Sequence, residues 1–281
     1  MSAPTIGDWL ADATARLKTV GIDNPRLDAH LLLCHHMNID RAQIIAFPER
    51  EIINEALLSE HLNRRLSREP LSHIVGKREF WGLEFHVNAD VLDPRPDSET
   101  LVEALLGRIS DKNAPLKLID FGTGSGCLLL ALLSELPNAT GVGVDISDKA
   151  LGVAKLNAQN LGFEERCDFI QSDWGDKISQ KADIIMSNPP YIPAQDIAGL
   201  QAEVKDFEPR LALDGGTDGL YPYSIIAKIA FKLLKKNGLL GVEFGVGQEQ
   251  DVASILCDAG HSDLKQHLDL GQITRCITAS V

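Results

Sequence analysis

The sequence predicts an α/β protein: a parallel, doubly wound sheet preceded by a small helical domain and a β-hairpin. Three observations carry this. Residues 5–68 repeat apolar side chains at i, i+3 and i+4, residues 70–87 alternate, and from Ser98 onward short apolar runs interleave with helical periodicity. A chain of 281 residues is also long for a single core, which favours two domains, drawn here at 1–75 and 76–281.

The helical part rests on three amphipathic sets: Trp9, Leu10, Ala13 and Leu17; Leu27, His30, Leu31 and Cys34; and Leu57, Leu58, His61 and Leu62. Pro25 after Asn24 suits a first helical position, and Pro48 closes another segment. Arg64, Arg65 and Arg68 end a helix expected from about Glu51, where cations favour the dipole, and read as a solvated helix end. Phe80, Trp81, Leu83, Phe85 and Val87 around Gly82 then read as a hairpin, so the link between domains is structured.

Beyond it come a helix near 98–109 and strand 116–121, helix 126–136 and strand 140–145, helix 147–161 and strand 167–171, then strand 182–187. Helix 222–236, strand 238–244, helix 247–259 and strands 263–270 and 273–279 complete the domain. This order implies a parallel sheet, with the last two strands antiparallel across the short link Gly271-Gln272.

Composition narrows the classes. No run approaches the roughly 18 apolar residues of a membrane span, and the first twenty residues lack a secretory leader pattern, so no membrane is expected and a cytoplasmic location is. Five cysteines, odd in number and never spaced CxxC, suggest neither disulfides nor zinc. The adjacent His35 and His36 point about 100° apart on a helix, with no carboxylate or third histidine placed to complete a site, so no metal is expected. The net charge of -13 falls mainly on residues 76–281, with 19 basic against 30 acidic side chains. Such a surface repels phosphate backbones; no direct nucleic-acid binding is expected, and a protein substrate fits better.

Two motifs carry the chemistry. Asp120-Phe121-Gly122-Thr123-Gly124-Ser125-Gly126 leaves one apolar strand and opens a helix, and Asn188-Pro189-Pro190-Tyr191 leaves another. In an open parallel sheet both lie beyond the carboxyl ends of strands, where ligands bind. The GxGxG spacing differs from the GxGxxG that wraps a pyrophosphate, which favours a nucleoside without phosphates. Asp145 ends the next strand, where a carboxylate accepts from ribose hydroxyls, and Asp173-Trp174 offers a carboxylate for an exocyclic amine and an indole for stacking. S-adenosyl-L-methionine has a ribose, an adenine and no phosphate.

The Asn188 side-chain carbonyl and the Pro189 backbone carbonyl can both accept from one NH2 group, supporting charge as a nitrogen–carbon bond forms. Pro189 and Pro190 stiffen the turn and bring no competing N–H, and Tyr191 can lie against a planar amide. The acceptor is then an amide or an aromatic exocyclic amine.

The chain resembles the release factor glutamine methyltransferases, the PrmC/HemK family, over nearly its full length. The resemblance is carried by Arg78-Glu79-Phe80-Trp81-Gly82, Pro94-Arg95-Pro96-Asp97, Gly122 to Gly126, Gln171-Ser172-Asp173-Trp174, Ser187 to Ile192, and Phe207-Glu208-Pro209 with Ala212-Leu213. It implies a class I S-adenosylmethionine-dependent methyltransferase fold, Rossmann-like with a seven-stranded sheet, and an N-terminal helical domain that docks the substrate. The implied reaction methylates the side-chain amide of the glutamine in the Gly-Gly-Gln motif of class I peptide chain release factors.

By motif, Gly122, Thr123, Gly124, Ser125, Gly126, Asp145, Trp174 and Asn188 would hold the cofactor. Asn188, Pro189, Pro190 and Tyr191 would hold the glutamine, with Asn188, Pro189 and Tyr191 as the catalytic set. Asp93 before Pro94 and the sequence Glu243-Phe244-Gly245 depart from the pattern, leaving Arg95 and Glu243 without assigned roles. An adenine-N6 or guanine-N2 nucleic-acid methyltransferase is the alternative reading, and a non-catalytic S-adenosylmethionine-binding protein a remote one. A monomer is expected.

Overall fold

The computed structural model describes residues 4–281, which form two compact units. One holds residues 4–76 together with Gln201–Phe207, the other Lys77–Leu200 and Glu208–Val281. The second short stretch of the first unit has no counterpart in a boundary drawn after residue 75.

In the first unit, α1 (Ile6–Thr19) starts where Thr5 caps the Asp8 N–H, and α2 (Pro25–Met37) starts on Pro25 and stops at Asn38 in the left-handed region. α3 (Arg41–Ala46) opens with a reciprocal Asp40–Gln43 capping box. α4 (Glu55–Leu66) begins later than expected, because Glu51 forms a bridge with Thr5 and Asn54 turns the chain at φ 56°. α5 (Leu71–Val75) follows Pro70. Ile6, Trp9, Ala13, Leu17, Leu32, Leu33, Leu58 and Leu62 face one core.

The arginine cluster is not a solvated helix end. Arg65 is buried, donating to Asp28 Oδ2 at 2.7 Å and to Glu203 Oε1 at 3.2 Å, while Arg68 reaches Glu203 Oε2 at 2.6 Å. Arg64 pairs with Glu69. Glu203 lies on the short helix α9 (Ala202–Lys205), so these cations bind a segment remote in sequence, which helical periodicity cannot reveal. Tertiary folding also supplies the third histidine that local spacing lacks: the His61 ring lies 5.5 Å from that of His35 and 6.5 Å from that of His36. Among the described residues, no group of three or more His, Cys, Asp or Glu could hold a metal ion.

The second unit opens with the hairpin β1 (Lys77–Phe80) and β2 (Leu83–His86), turned at Trp81 and Gly82 with φ of 56° and 72°. A 3-10 turn, Pro96–Ser98, precedes α6 (Glu99–Leu106), so the helix expected at 98–109 is shorter. Then come β3 (Lys117–Phe121), α7 (Cys127–Glu135), β4 (Thr140–Asp145), α8 (Asp148–Leu161), β5 (Cys167–Gln171) and β6 (Ala182–Ser187). α10 (Tyr221–Leu233), β7 (Leu234–Glu243), α11 (Glu249–Asp258), β8 (Ser262–Leu268) and β9 (Thr274–Ser280) complete it. The helix expected to reach 236 stops three residues earlier, because Leu234 pairs with Ala182 before an irregularity carries the register to Ile184 and Leu239. Asn237, at φ 62°, lies in that irregularity.

The sheet order is β5-β4-β3-β6-β7-β9-β8. All pairs are parallel except those made by β9, which is antiparallel to β7 and β8. Strand alternation splits the core in two: Leu118, Ile184 and Met186 pack with α6, α7 and α8, whereas Ile119, Phe121 and Ile185 pack with α10 and α11. Strand order reverses between β3 and β6, the place where open α/β sheets bind ligands. Among the described residues no helix is long and apolar enough to cross a membrane.

Candidate active site

β3 and β6 pair in register through Phe121 and Ser187, so the glycine turn and the Asn188 turn leave the sheet side by side. Ser187 Oγ donates to the Phe121 carbonyl at 2.7 Å and ties the two exits together. Between them lies a cleft of about 250 Å³.

Gly122, Thr123, Gly124 and Ser125 line it. Gly122 and Gly124 have φ of 69° and 54°, and a Cβ on either would meet no atom within 4 Å, so the turn is an open cradle. Gly126 does not line the cleft. It starts α7 at φ 83°, and a Cβ there would touch Ala154 and Leu130 at 3.4 Å, so it serves helix packing. Asp145 extends from β4 with each oxygen held by a backbone N–H: Oδ2 by Gly124 and Oδ1 by Ser147, both at 2.9 Å. Burial raises its pKa, and those N–H groups oppose the rise. Trp174, at φ 46°, lines the cleft and also packs against the core beside α10.

Asn188 and Pro190 line the cleft; Pro189 is buried, and neither it nor Tyr191 is among the lining residues. The Tyr191 ring faces Gly245, where a Cβ would approach it to 3.1 Å, and its carbonyl accepts from Gln248 Nε2 at 3.1 Å. Burial drives its hydroxyl up to about 12, so it stays protonated. The turn is backed by residues 213–216: Ile192 N–H donates to Leu213 O, Gly215 N–H to Ile192 O, and Ala194 N–H to Gly216 O.

Several site residues escaped the motif reading. Asn188 Nδ2 donates to Ser98 Oγ at 3.1 Å. Arg95, on the cleft wall, grips both oxygens of buried Glu208 at 2.7 Å. Burial nevertheless pushes Glu208 up to about 7, because the guanidinium recovers only part of the lost hydration. Asp120 Oδ2 accepts from Thr123 Oγ1 at 2.7 Å and its Oδ1 has no partner; burial again raises the group to about 7. Glu243 is 1% exposed, takes hydrogen bonds from Ser98 and Asn188, and is likewise pushed up to about 7 by burial. A signal existed for two of these: Asp120 is the one charged residue in the run 118–121 and Glu243 in the run 239–244, and an acid there must have a partner or a use.

Comparison with known proteins agrees with this geometry. Residues 8–76 match the family profile described as the PrmC N-terminal domain, and residues 112–269 match a methyltransferase domain profile. The chain is 44% identical to the release factor glutamine methyltransferase of Rhodospirillum rubrum, covering 99% of this chain and 86% of that protein. It is 41% identical to that of Caulobacter vibrioides, covering 99% and 96%. Among solved structures it resembles the hMettl16 catalytic domain in complex with MAT2A 3'UTR hairpin 6, at TM-score 0.60 and 16% identity over 79% of this chain and 82% of that one. It also resembles a methyltransferase from Pyrococcus furiosus, at TM-score 0.53 and 13% identity over 80% and 96%. These two likenesses establish the class I methyltransferase fold alone. Identity of this level along almost the whole of the chain and of its relatives leaves one conclusion: the chain belongs to the release factor glutamine methyltransferase family.

Proposed function

We propose that the protein methylates the side-chain amide nitrogen of a release-factor glutamine with S-adenosylmethionine, the acceptor being the glutamine of the Gly-Gly-Gln motif in class I factors. The observation that carries this is the exit of the glycine cradle and of Asn188 from paired strands into one cleft. The residues fit the cofactor: an open glycine turn, a ribose-facing carboxylate already oriented by Gly124 and Ser147, and the Trp174 ring at the wall.

When bound, S-adenosylmethionine supplies an electrophilic methyl group. An amide nitrogen is a weak nucleophile because its lone pair is delocalised, and no side chain here can remove its proton beforehand. The chain must therefore orient and polarise it. Asn188 commits Nδ2 to Ser98, which leaves Oδ1 as the acceptor for a substrate N–H. The second N–H is assigned to the backbone carbonyl of Pro189, the buried residue between the lining residues Asn188 and Pro190. Oriented acceptors in a desolvated cleft stabilise positive charge growing on nitrogen. Holding the reacting atoms in line supplies about 7–11 kcal/mol of the barrier, so positioning dominates.

Residues 1–75 act in docking the release factor, the protein works as a monomer, and no direct nucleic-acid contact is involved. The charge of -13 supports the last point, and unpaired cysteines support a cytoplasmic setting. The test is mass spectrometry of an unmethylated release factor incubated with the protein and S-adenosylmethionine. One methyl group on the Gly-Gly-Gln glutamine is expected; an unmodified factor, with cofactor binding shown in the same preparation, would reject the reading.

A further inference from the structure

Glu243 is the one acid in the run Leu239 to Phe244, at the carboxyl end of β7. β7 pairs with β6, with Val242 opposite Ser187, so Glu243 and Asn188 are the next positions along the two strands. The Glu243 carboxylate accepts from the side chains of Ser98 and Asn188, and Asn188 Nδ2 donates to Ser98 Oγ at 3.1 Å. Three elements thus place three side chains in one part-buried network at the edge of the cleft, with Glu243 Oε2 left without a partner.

A carboxylate only accepts hydrogen bonds, so what it takes from an amide side chain must be an N–H. The opposite orientation would set the Asn188 Oδ1 against a buried anion. We infer that Glu243 is a positioning residue which, with Ser98, locks the Asn188 amide with Nδ2 inward, so that Oδ1 is presented to the substrate nitrogen. This rests on the reading of Asn188 given above and extends it to the residue that orients it.

The lock requires the ionised form. A protonated Glu243 carries an O–H that Oδ1 can accept, which admits the reversed amide. Burial, opposed by Arg275 and reinforced by Asp97, brings Glu243 to about 7. The other titratable groups coupled to it, Tyr191, Tyr223, Cys127 and Cys276, are all driven upward by their own burial and stay neutral there. Asp120 and Glu208 also titrate near 7, but neither is bonded to Asn188.

The experiment measures kcat for release-factor methylation against pH in the full-length protein and in Glu243→Gln, Glu243→Ala and Asn188→Ala. Wild-type kcat should rise with pH to a plateau above neutrality. Glu243→Ala should lower plateau kcat by about 10²-fold with cofactor Kd unchanged, and cost nothing further when combined with Asn188→Ala. Glu243→Gln, whose NH2 offers Oδ1 the same donor as the protonated acid and which cannot ionise, should hold kcat near the wild-type low-pH value at every pH and lack the acid limb. An acid limb that survives in Glu243→Gln, or losses that multiply in the double variant, would overturn the lock. A second readout needs no acceptor: the side-chain amide resonance of 15N-labelled Asn188 should shift with pH near neutrality in the wild type and not in Glu243→Gln. A wild-type resonance indifferent to pH rejects the lock. The expected shift, together with undiminished turnover in Asn188→Ala, keeps the lock and rejects the catalytic reading of Asn188 instead.

Discussion

Asp145 and Asn188 both hold an amide or carboxylate in a fixed orientation at the end of a strand, yet their losses should separate cleanly. Asn188→Ala should cut turnover by about 10²–10³ and leave cofactor affinity nearly intact, since what disappears is one oriented acceptor for developing charge. Asp145→Ala should weaken cofactor binding measured by calorimetry, while affinity for the release factor without cofactor stays unchanged. Asp120 offers a pH test. Its folded pKa is raised by burial to about 7, so the folded state binds more protons than the unfolded state between about 4 and 7. The stability it contributes is therefore present at low pH and lost as pH rises through about 7. Asp120→Asn cannot suffer that loss, so its Tm relative to the wild type should climb with pH across that window and level off above it. Groups titrating alike in both proteins, the buried His261 among them, cancel in the difference. A flat difference would mean that Asp120 is ionised throughout.

At the scale of elements, the Asn188 turn is only as fixed as the segment behind it. A Cβ on Gly215 would lie 2.8 Å from the Pro190 carbonyl oxygen and 2.9 Å from the Tyr191 Cα, both backbone atoms with little room to yield. Gly215→Ala should cost about 1–3 kcal/mol of stability by overpacking, measured by urea denaturation, and lower turnover by moving the turn. Cofactor affinity should change little, because the cradle and Asp145 lie on β3 and β4. The hairpin has a comparable anchor. Asn157, fully buried on α8, accepts from His86 N–H at 2.7 Å and donates to the carbonyls of His86 and Ser125 at 3.0 and 2.9 Å. The Asn157 side chain thereby joins β2, where His86 lies 71 positions before it in sequence, to the glycine turn.

At the scale of the whole molecule, the chain enters its helical unit twice, and the second visit, Gln201–Phe207, is held through Glu203 by Arg65 and Arg68. Removing one partner from a buried ion network strands the others, which typically costs about 3–5 kcal/mol, whereas an apolar replacement of similar length costs less. Arg65→Ala should therefore raise amide exchange in residues 201–207 and in α2 around Asp28, and Arg65→Met should do so less. Equal protection in wild type and Arg65→Ala would show that apolar packing alone holds the segment.

Helix and strand periodicity, turn chemistry and two motifs determined the sheet class, the order of elements, the glycine cradle, Asp145 and the Asn188 turn. All of these are local patterns: apolar spacing reports which face a segment buries, and glycine or proline reports a dihedral demand. Tertiary structure alone decided the rest. It separated Gly126 from the cradle it adjoins and placed Pro189 and Tyr191 off the cleft wall. It turned a row of arginines into an internal network with Glu203, paired Arg95 with Glu208, and brought Ser98 and Glu243 to Asn188. Those partners lie tens of residues apart or more, and a charged side chain gives no periodic sign of where its partner is. Burial then fixed their chemistry, because a carboxyl's pKa depends on how much water and which donors the folded chain leaves around it.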